Sequence, residues 1–305
     1  QVAYYNKAWK FYNNKSYKPE DDGVVNSSTW DGANFHMEVA SQTTGYNVND
    51  DLGGNEIYGN EFYGGNYALD FPSPGNKGVY DYYVSIHDNY FELNVVNTTL
   101  YRSGIHLEAL RMSDVLIYNN HFKGWAQPIR IIDNGGVGST TPYQYSLYDR
   151  ISIYNNLIEN PSMGTGTKYY VMINMIPIKA GTNWSNISIY NNTMVASNNP
   201  NHYSTLLYIN PAAGSTMNNI NIKNNIITGH KNLAAIRIAN NGTMDNVHID
   251  YNLFYNNCEY LIRAPLQYEQ NKPLRHRQLR KIDNRQLMDL QLLLEQTAQV
   301  LQLVQ

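Results

Sequence analysis

The sequence predicts an all-β chain wound as a right-handed parallel β-helix, a solenoid of about eight or more coils, and three observations carry that prediction. A six-residue phrase, apolar-x-apolar followed by x-(Asn/Gly/Asp/Tyr)-Asn, returns eight times along the 305 residues. Its final Asn recurs at intervals of 46, 29, 31, 36, 36, 33 and 27 residues, a near-constant period of the kind stacked repeats produce. Between the copies lies a second set of apolar-x-apolar triplets, so one coil holds at least two strands.

The phrases end at Asn14, Asn60, Asn89, Asn120, Asn156, Asn192, Asn225 and Asn252. Their apolar residues sit two apart, as in Ile151 and Ile153 or Ile187 and Ile189, which is the period of a strand with one buried face. The closing Asn falls where the strand must turn, tolerates left-handed backbone and bonds neighbouring backbone groups. Stacked coil on coil, these amides are expected to form a hydrogen-bonded ladder. The second set of strands is Phe35 to Met37, Leu69 to Phe71, Ile105 to Leu107, Ile129 to Ile131, Ile173 to Met175, Leu207 to Ile209 and Ile236 to Ile238. A β-propeller is the alternative, but its blades need tight hairpins, and hairpin dipeptides do not recur at fixed places here.

No linker interrupts the repeat, so residues 1–265 read as one β-helix domain. After Pro265 the composition turns to Gln, Leu and Arg and the phrases stop. Leu287, Leu290, Leu294 and Leu301 lie near helical spacing, so 266–305 is expected to be either a helical cap on the last coil or a non-native segment.

Charged residues make up only 15% and the net charge is -3, without a basic cluster in the repeats, which argues against nucleic acid as a partner. No apolar run is long enough to span a bilayer, and the single Cys258 excludes an intrachain disulfide. The 27 tyrosines and abundant Asn suit stacking on sugar faces and bonding to hydroxyls. Asn-x-Ser/Thr sequons at Asn14, Asn26, Asn97, Asn183, Asn186, Asn191 and Asn241 fit a secreted or cell-surface protein. The start at Gln1 reads as a processed or trimmed end.

On a strand, a residue between two inward apolar side chains points outward, and equivalent positions on successive coils stack about 4.8 Å apart. In the second strand set that column reads His36, Asp70, His106, Arg130, Asn174, Tyr208 and Arg237. Two coils share the closely related phrases Phe35-His36-Met37-Glu38 and Ile105-His106-Leu107-Glu108, and Asp133 lies just beyond Arg130. The structural explanation is a ladder of acids and bases that satisfies an outer sheet face and discourages association.

The functional explanation is glycosidic cleavage of an extended polysaccharide, with hydrolysis preferred and elimination by a lyase as the alternative. In hydrolysis, Glu38, Asp70 and Glu108 with His106 form the catalytic set, because carboxylates one coil apart lie near 5 Å and two coils apart near 9 to 10 Å. His36, Arg130, Asp133, Asn174, Tyr208 and Arg237 then line the substrate. A lyase acting on uronic acids needs a cation to neutralise the sugar carboxylate and a base for the adjacent proton, for which Arg130 and His106 serve, with Tyr208 as proton donor. No metal is assigned and no cofactor is required, although the carboxylates alone could hold Ca2+. A non-catalytic adhesion module that only binds carbohydrate is the reading from another class.

With phrases of the ISIYNN type covering most of the chain, the sequence resembles the right-handed parallel β-helix superfamily of pectate lyases, polygalacturonases and carbohydrate-binding repeat proteins. The resemblance implies extracellular polysaccharide as the usual substrate class. It is a divergent resemblance: there is no Asn-Thr-Asp, Gly-Asp-Asp and Gly-His-Gly series, and no Asp-His strand followed by Arg-x-Pro-x-x-Arg.

Overall fold

Apolar residues two apart, repeated coil after coil, wind into three parallel sheets around a common bore. The structure is a computed structural model that describes residues 2–3, 10–17, 33–38, 54–71, 84–93, 102–108, 111–133, 147–159, 170–178, 180–196, 204–229, 234–239, 241–255, 262–263 and 280–281. Sheet one has eight strands: Lys10–Tyr12, Asn55–Tyr58, Val84–His87, Arg111–Tyr118, Leu147–Tyr154, Asn183–Tyr190, Thr216–Lys223 and Thr243–Asp250. Sheet two has nine: Lys15–Tyr17, Glu61–Tyr63, Tyr90–Glu92, His121–Lys123, Leu157–Glu159, Thr193–Val195, Ile226–Thr228, Leu253–Tyr255 and Arg280–Lys281. Sheet three also has nine: Val2–Ala3, Ala33–Glu38, Tyr67–Phe71, Ser103–Leu107, Gln127–Asp133, Tyr170–Pro177, Ser204–Ile209, Ile236–Ile238 and Ile262–Arg263. Each sheet contributes one strand to a coil, and the result is a right-handed parallel β-helix.

The bore is filled by columns of like residues. In sheet one Ile57, Ile86, Ile117, Ile153, Ile189, Ile222 and Ile249 follow one another in register and are buried. Sheet two is the strand that the sequence pattern does not isolate. Its strands are mostly three residues long and turn a single side chain inward, Phe62, Phe91, Phe122, Ile158, Met194, Ile227 and Phe254 in succession. Phe91 and Phe122 stack with centroids 4.6 Å apart.

The expected Asn ladder joins sheets one and two. Asn156 shows the unit: its amide donates to Ile117 O at 2.9 Å and to Asn192 Oδ1 at 2.9 Å, while its Oδ1 accepts from Asn120 N and Nδ2 at 3.0 and 3.1 Å. The same pattern links Asn60, Asn89, Asn120, Asn192, Asn225 and Asn252. The residue before each ladder Asn takes a left-handed backbone: Asn13, Gly59, Asp88, Asn119, Asn155, Asn191, Asn224 and Tyr251 have φ between 53° and 63°. Asn and Asp tolerate that region by bonding locally, which is why the phrase carries them at this place.

The segment expected as a C-terminal cap contributes Arg280–Lys281, which pairs in parallel with Leu253–Phe254 and extends sheet two. The remainder of 266–305, like Cys258, lies outside the described residues. Among the described residues there is no helix, and none is long and apolar enough to cross a membrane.

Candidate functional site

The column proposed for sheet three is in register. His36 lies opposite Asp70, Asp70 opposite His106, His106 opposite Arg130, Arg130 opposite Asn174, Asn174 opposite Tyr208 and Tyr208 opposite Arg237, and Arg263 follows. The residues on either side, Leu69 and Phe71, Ile105 and Leu107, Ile129 and Ile131, are all 0% exposed in the bore, so Asp70, His106 and Arg130 turn away from it. Direction and solvent access nevertheless part company: Asp70 is 0% exposed, and His106 and Glu108 are each 2%.

Strand pairing places Asp70 and His106 side by side. His106 Nδ1 lies 2.8 Å from Asp70 Oδ1, and Nε2 is 3.7 Å from Glu108 Oε2. A carboxylate only accepts, so neutral His106 carries its proton on Nδ1 and presents the lone pair at Nε2. That nitrogen is buried and makes no hydrogen bond. The two acids thus flank one imidazole. The ring of Tyr67 stacks on the same imidazole, with centroids 4.6 Å apart and planes at 11°.

Burial pushes the Tyr67 phenol above the usual tyrosine range. The nearby Arg130 guanidinium, which also hydrogen bonds to the phenol, pulls the other way, and the charges of Asp70 and Glu108 raise it further. Along the column Asn174 Nδ2 donates to Gln127 Oε1 at 3.4 Å, and the guanidinium of Arg237 lies 5.1 Å over the ring of Tyr208.

Among the described residues, several buried side-chain atoms make no hydrogen bond: Ser103 Oγ, His106 Nε2, Trp125 Nε1, Arg130 Nε, Asn174 Oδ1 and Thr205 Oγ1. Five belong to sheet three, and Trp125 precedes its strand Gln127–Asp133 by two residues. Buried polar atoms ordinarily have partners, so a concentration of unmet ones on a single sheet points to water or a ligand there.

Of the residues singled out in the sequence, Asp70, His106, Glu108, Arg130, Asn174, Tyr208 and Arg237 share this wall. Asp133 is buried and accepts a hydrogen bond from the Ile178 backbone N–H, anchoring the end of the following strand. For His36 and Glu38 only the backbone is described, His36 opposite Asp70 and Glu38 opposite Ala3; their side chains lie outside the described residues. The pattern overlooks Tyr67 and Gln127, two positions before an inward apolar residue on their strands and in register with Ser103. It also overlooks an ionic patch on the outer face of sheet two: Lys123 pairs with Glu92 at 3.2 Å and His121 with Glu159 at 3.1 Å.

The tyrosines do not offer their faces to sugar on sheet one. Tyr12, Tyr58, His87, Tyr118, Tyr154 and Tyr190 form one stack with centroids 4.7 to 5.2 Å apart, and Lys223 lies 6.0 Å over Tyr190. Ring faces are covered by neighbouring rings, leaving edges and hydroxyls outward. Among the described residues no three His, Cys, Asp or Glu side chains converge as a metal site requires. Compared with family models, curated proteins and solved structures, the chain has no match.

Proposed function

We propose that this chain is an extracellular carbohydrate-active enzyme that cleaves an acidic polysaccharide by elimination on sheet three. One observation carries the reading: an imidazole oriented by a buried carboxylate, its far nitrogen unbonded, stands one coil from an arginine. Arg130 neutralises the carboxylate of a uronic acid, which acidifies the neighbouring C–H. His106 Nε2 takes that proton, the electron pair forms a ring C=C bond, and the C–O bond to the leaving sugar breaks. Asp70 holds the tautomer and stabilises the imidazolium. Tyr67, a phenol kept protonated by burial, donates to the departing oxygen. The likeness of the repeats to the pectate-lyase and polygalacturonase superfamily favours polysaccharide by analogy alone.

Glycoside hydrolysis is the second reading, favoured by buried carboxylates on neighbouring coils, Asp70 and Glu108. It ranks lower because the His106 ring occupies the space between them, where water or the anomeric carbon would sit. A panel of uronic and neutral glycans tests both. Elimination gives an unsaturated sugar absorbing in the ultraviolet, and His106→Ala should lower its formation at least ~100-fold. New reducing ends without that absorbance would replace elimination by hydrolysis, and no turnover on any glycan would leave a binding module.

A further inference from the structure

Beyond His106 the sheet-three column changes character. Arg130, Asn174, Tyr208, Arg237 and Arg263 succeed one another on consecutive coils without an acid among them. The acids of the column, Asp70 and the neighbouring Glu108, flank the imidazole itself, and no column position after it carries one. An anionic polymer on this wall is therefore drawn toward the later coils, which gives it one direction to extend from His106. Near that far end the Arg237 guanidinium lies over the Tyr208 ring, 5.1 Å from its centroid, and both side chains are half-buried. Among the described residues no carboxylate pairs with Arg237. The ring holds the guanidinium in place, and a guanidinium recognises a carboxylate with two parallel bonds.

We propose that Tyr208 and Arg237 form a distal subsite that binds a second anionic sugar unit of the same chain. The inference rests on sheet three being the substrate face. Arg237 lies three coils from Arg130, roughly 14 Å at the spacing of parallel strands. The occupant is thus an extended acidic glycan that spans several coils, and a single monosaccharide cannot reach both arginines.

The test is a binding titration of the full chain carrying His106→Ala, with polygalacturonate as the acidic probe and dextran as the neutral one. Polygalacturonate should bind, more weakly as salt rises, and dextran should not. Adding Arg237→Gln should weaken polygalacturonate binding roughly tenfold, as expected for losing a charge-assisted contact. Arg237→Lys, which keeps charge but not the fork, should recover part of the loss, a result that misfolding would not give. Equal binding of dextran, or unchanged affinity in Arg237→Gln, overturns the proposal. Cleavage is scored separately in the chain with His106 intact. Arg237-dependent binding without cleavage keeps the subsite and removes elimination, whereas cleavage with Arg237-independent binding does the reverse.

Discussion

Replacing Asn156 by Ala removes the centre of the Asn ladder, and its cost follows from the bonds it makes. The side-chain amide shares two hydrogens among Ile117 O, Tyr154 O and Asn192 Oδ1 at 2.9, 3.0 and 2.9 Å. Its Oδ1 accepts from Asn120 N and Nδ2 at 3.0 and 3.1 Å. The site is 1% exposed, so water does not replace these partners, and the Asn120 backbone N–H is left buried without an acceptor. At about 1 kcal/mol for each of the two donated bonds and the bond from Asn120 Nδ2, with a further ~1 to 3 kcal/mol for the stranded N–H, the loss comes to roughly 4 to 6 kcal/mol. Asn14 is the internal control: it is exposed, and no described residue donates to its Oδ1. Asn14→Ala should cost only about 1 kcal/mol. Urea unfolding followed by circular dichroism measures both as midpoint shifts at constant slope. A loss below ~1 kcal/mol for Asn156→Ala, or equal losses for the two, would refute the claim that ladder bonds hold the coils together.

Three further outcomes are expected. Tyr251 is 57% exposed with φ 56° at a corner where other coils use Asn, Asp or Gly, so Tyr251→Asn should stabilise by about 1 kcal/mol in the same unfolding assay. At Gly124 φ is 80° and an added Cβ would sit 2.1 Å from Leu93 O, so Gly124→Ala should cost at least about 2 kcal/mol. Tyr67 has its folded pKa raised by burial above the ordinary tyrosine value of 10.0, so its contribution is complete below that value and is lost as pH rises through the folded pKa. Tyr67→Phe should therefore flatten the fall of stability on the alkaline side, and an unchanged alkaline limb contradicts that assignment.

The register of sheet three was legible because the bore dictates it. Inward residues such as Leu69, Ile105 and Ile129 must stack, and the middle residue of each triplet then stacks as well. The pairing of Asp70 with His106 follows from that frame. Access does not: whether an outward residue meets solvent depends on what lies across the face, and nothing in the strand's own alternation says that Asp70 is 0% exposed. Sheet two leaves no pattern in the sequence, because a single inward side chain such as Phe122 sets no period. The ionic patch around Glu92 and Glu159 lies on those same short strands and was hidden with them. Tyr67 carries no such signal, because it does not sit between two inward apolar residues and its side chain reaches His106 from the start of its strand.

The most direct test of sheet three as the substrate face is a crystal structure of the His106→Ala chain with an acidic oligosaccharide. A sugar carboxylate within hydrogen-bond reach of the Arg130 guanidinium, with the chain running toward Tyr208 and Arg237, is the predicted result. A sugar seated on the tyrosine stack of sheet one, or on the outer face of sheet two with sheet three empty, would contradict it.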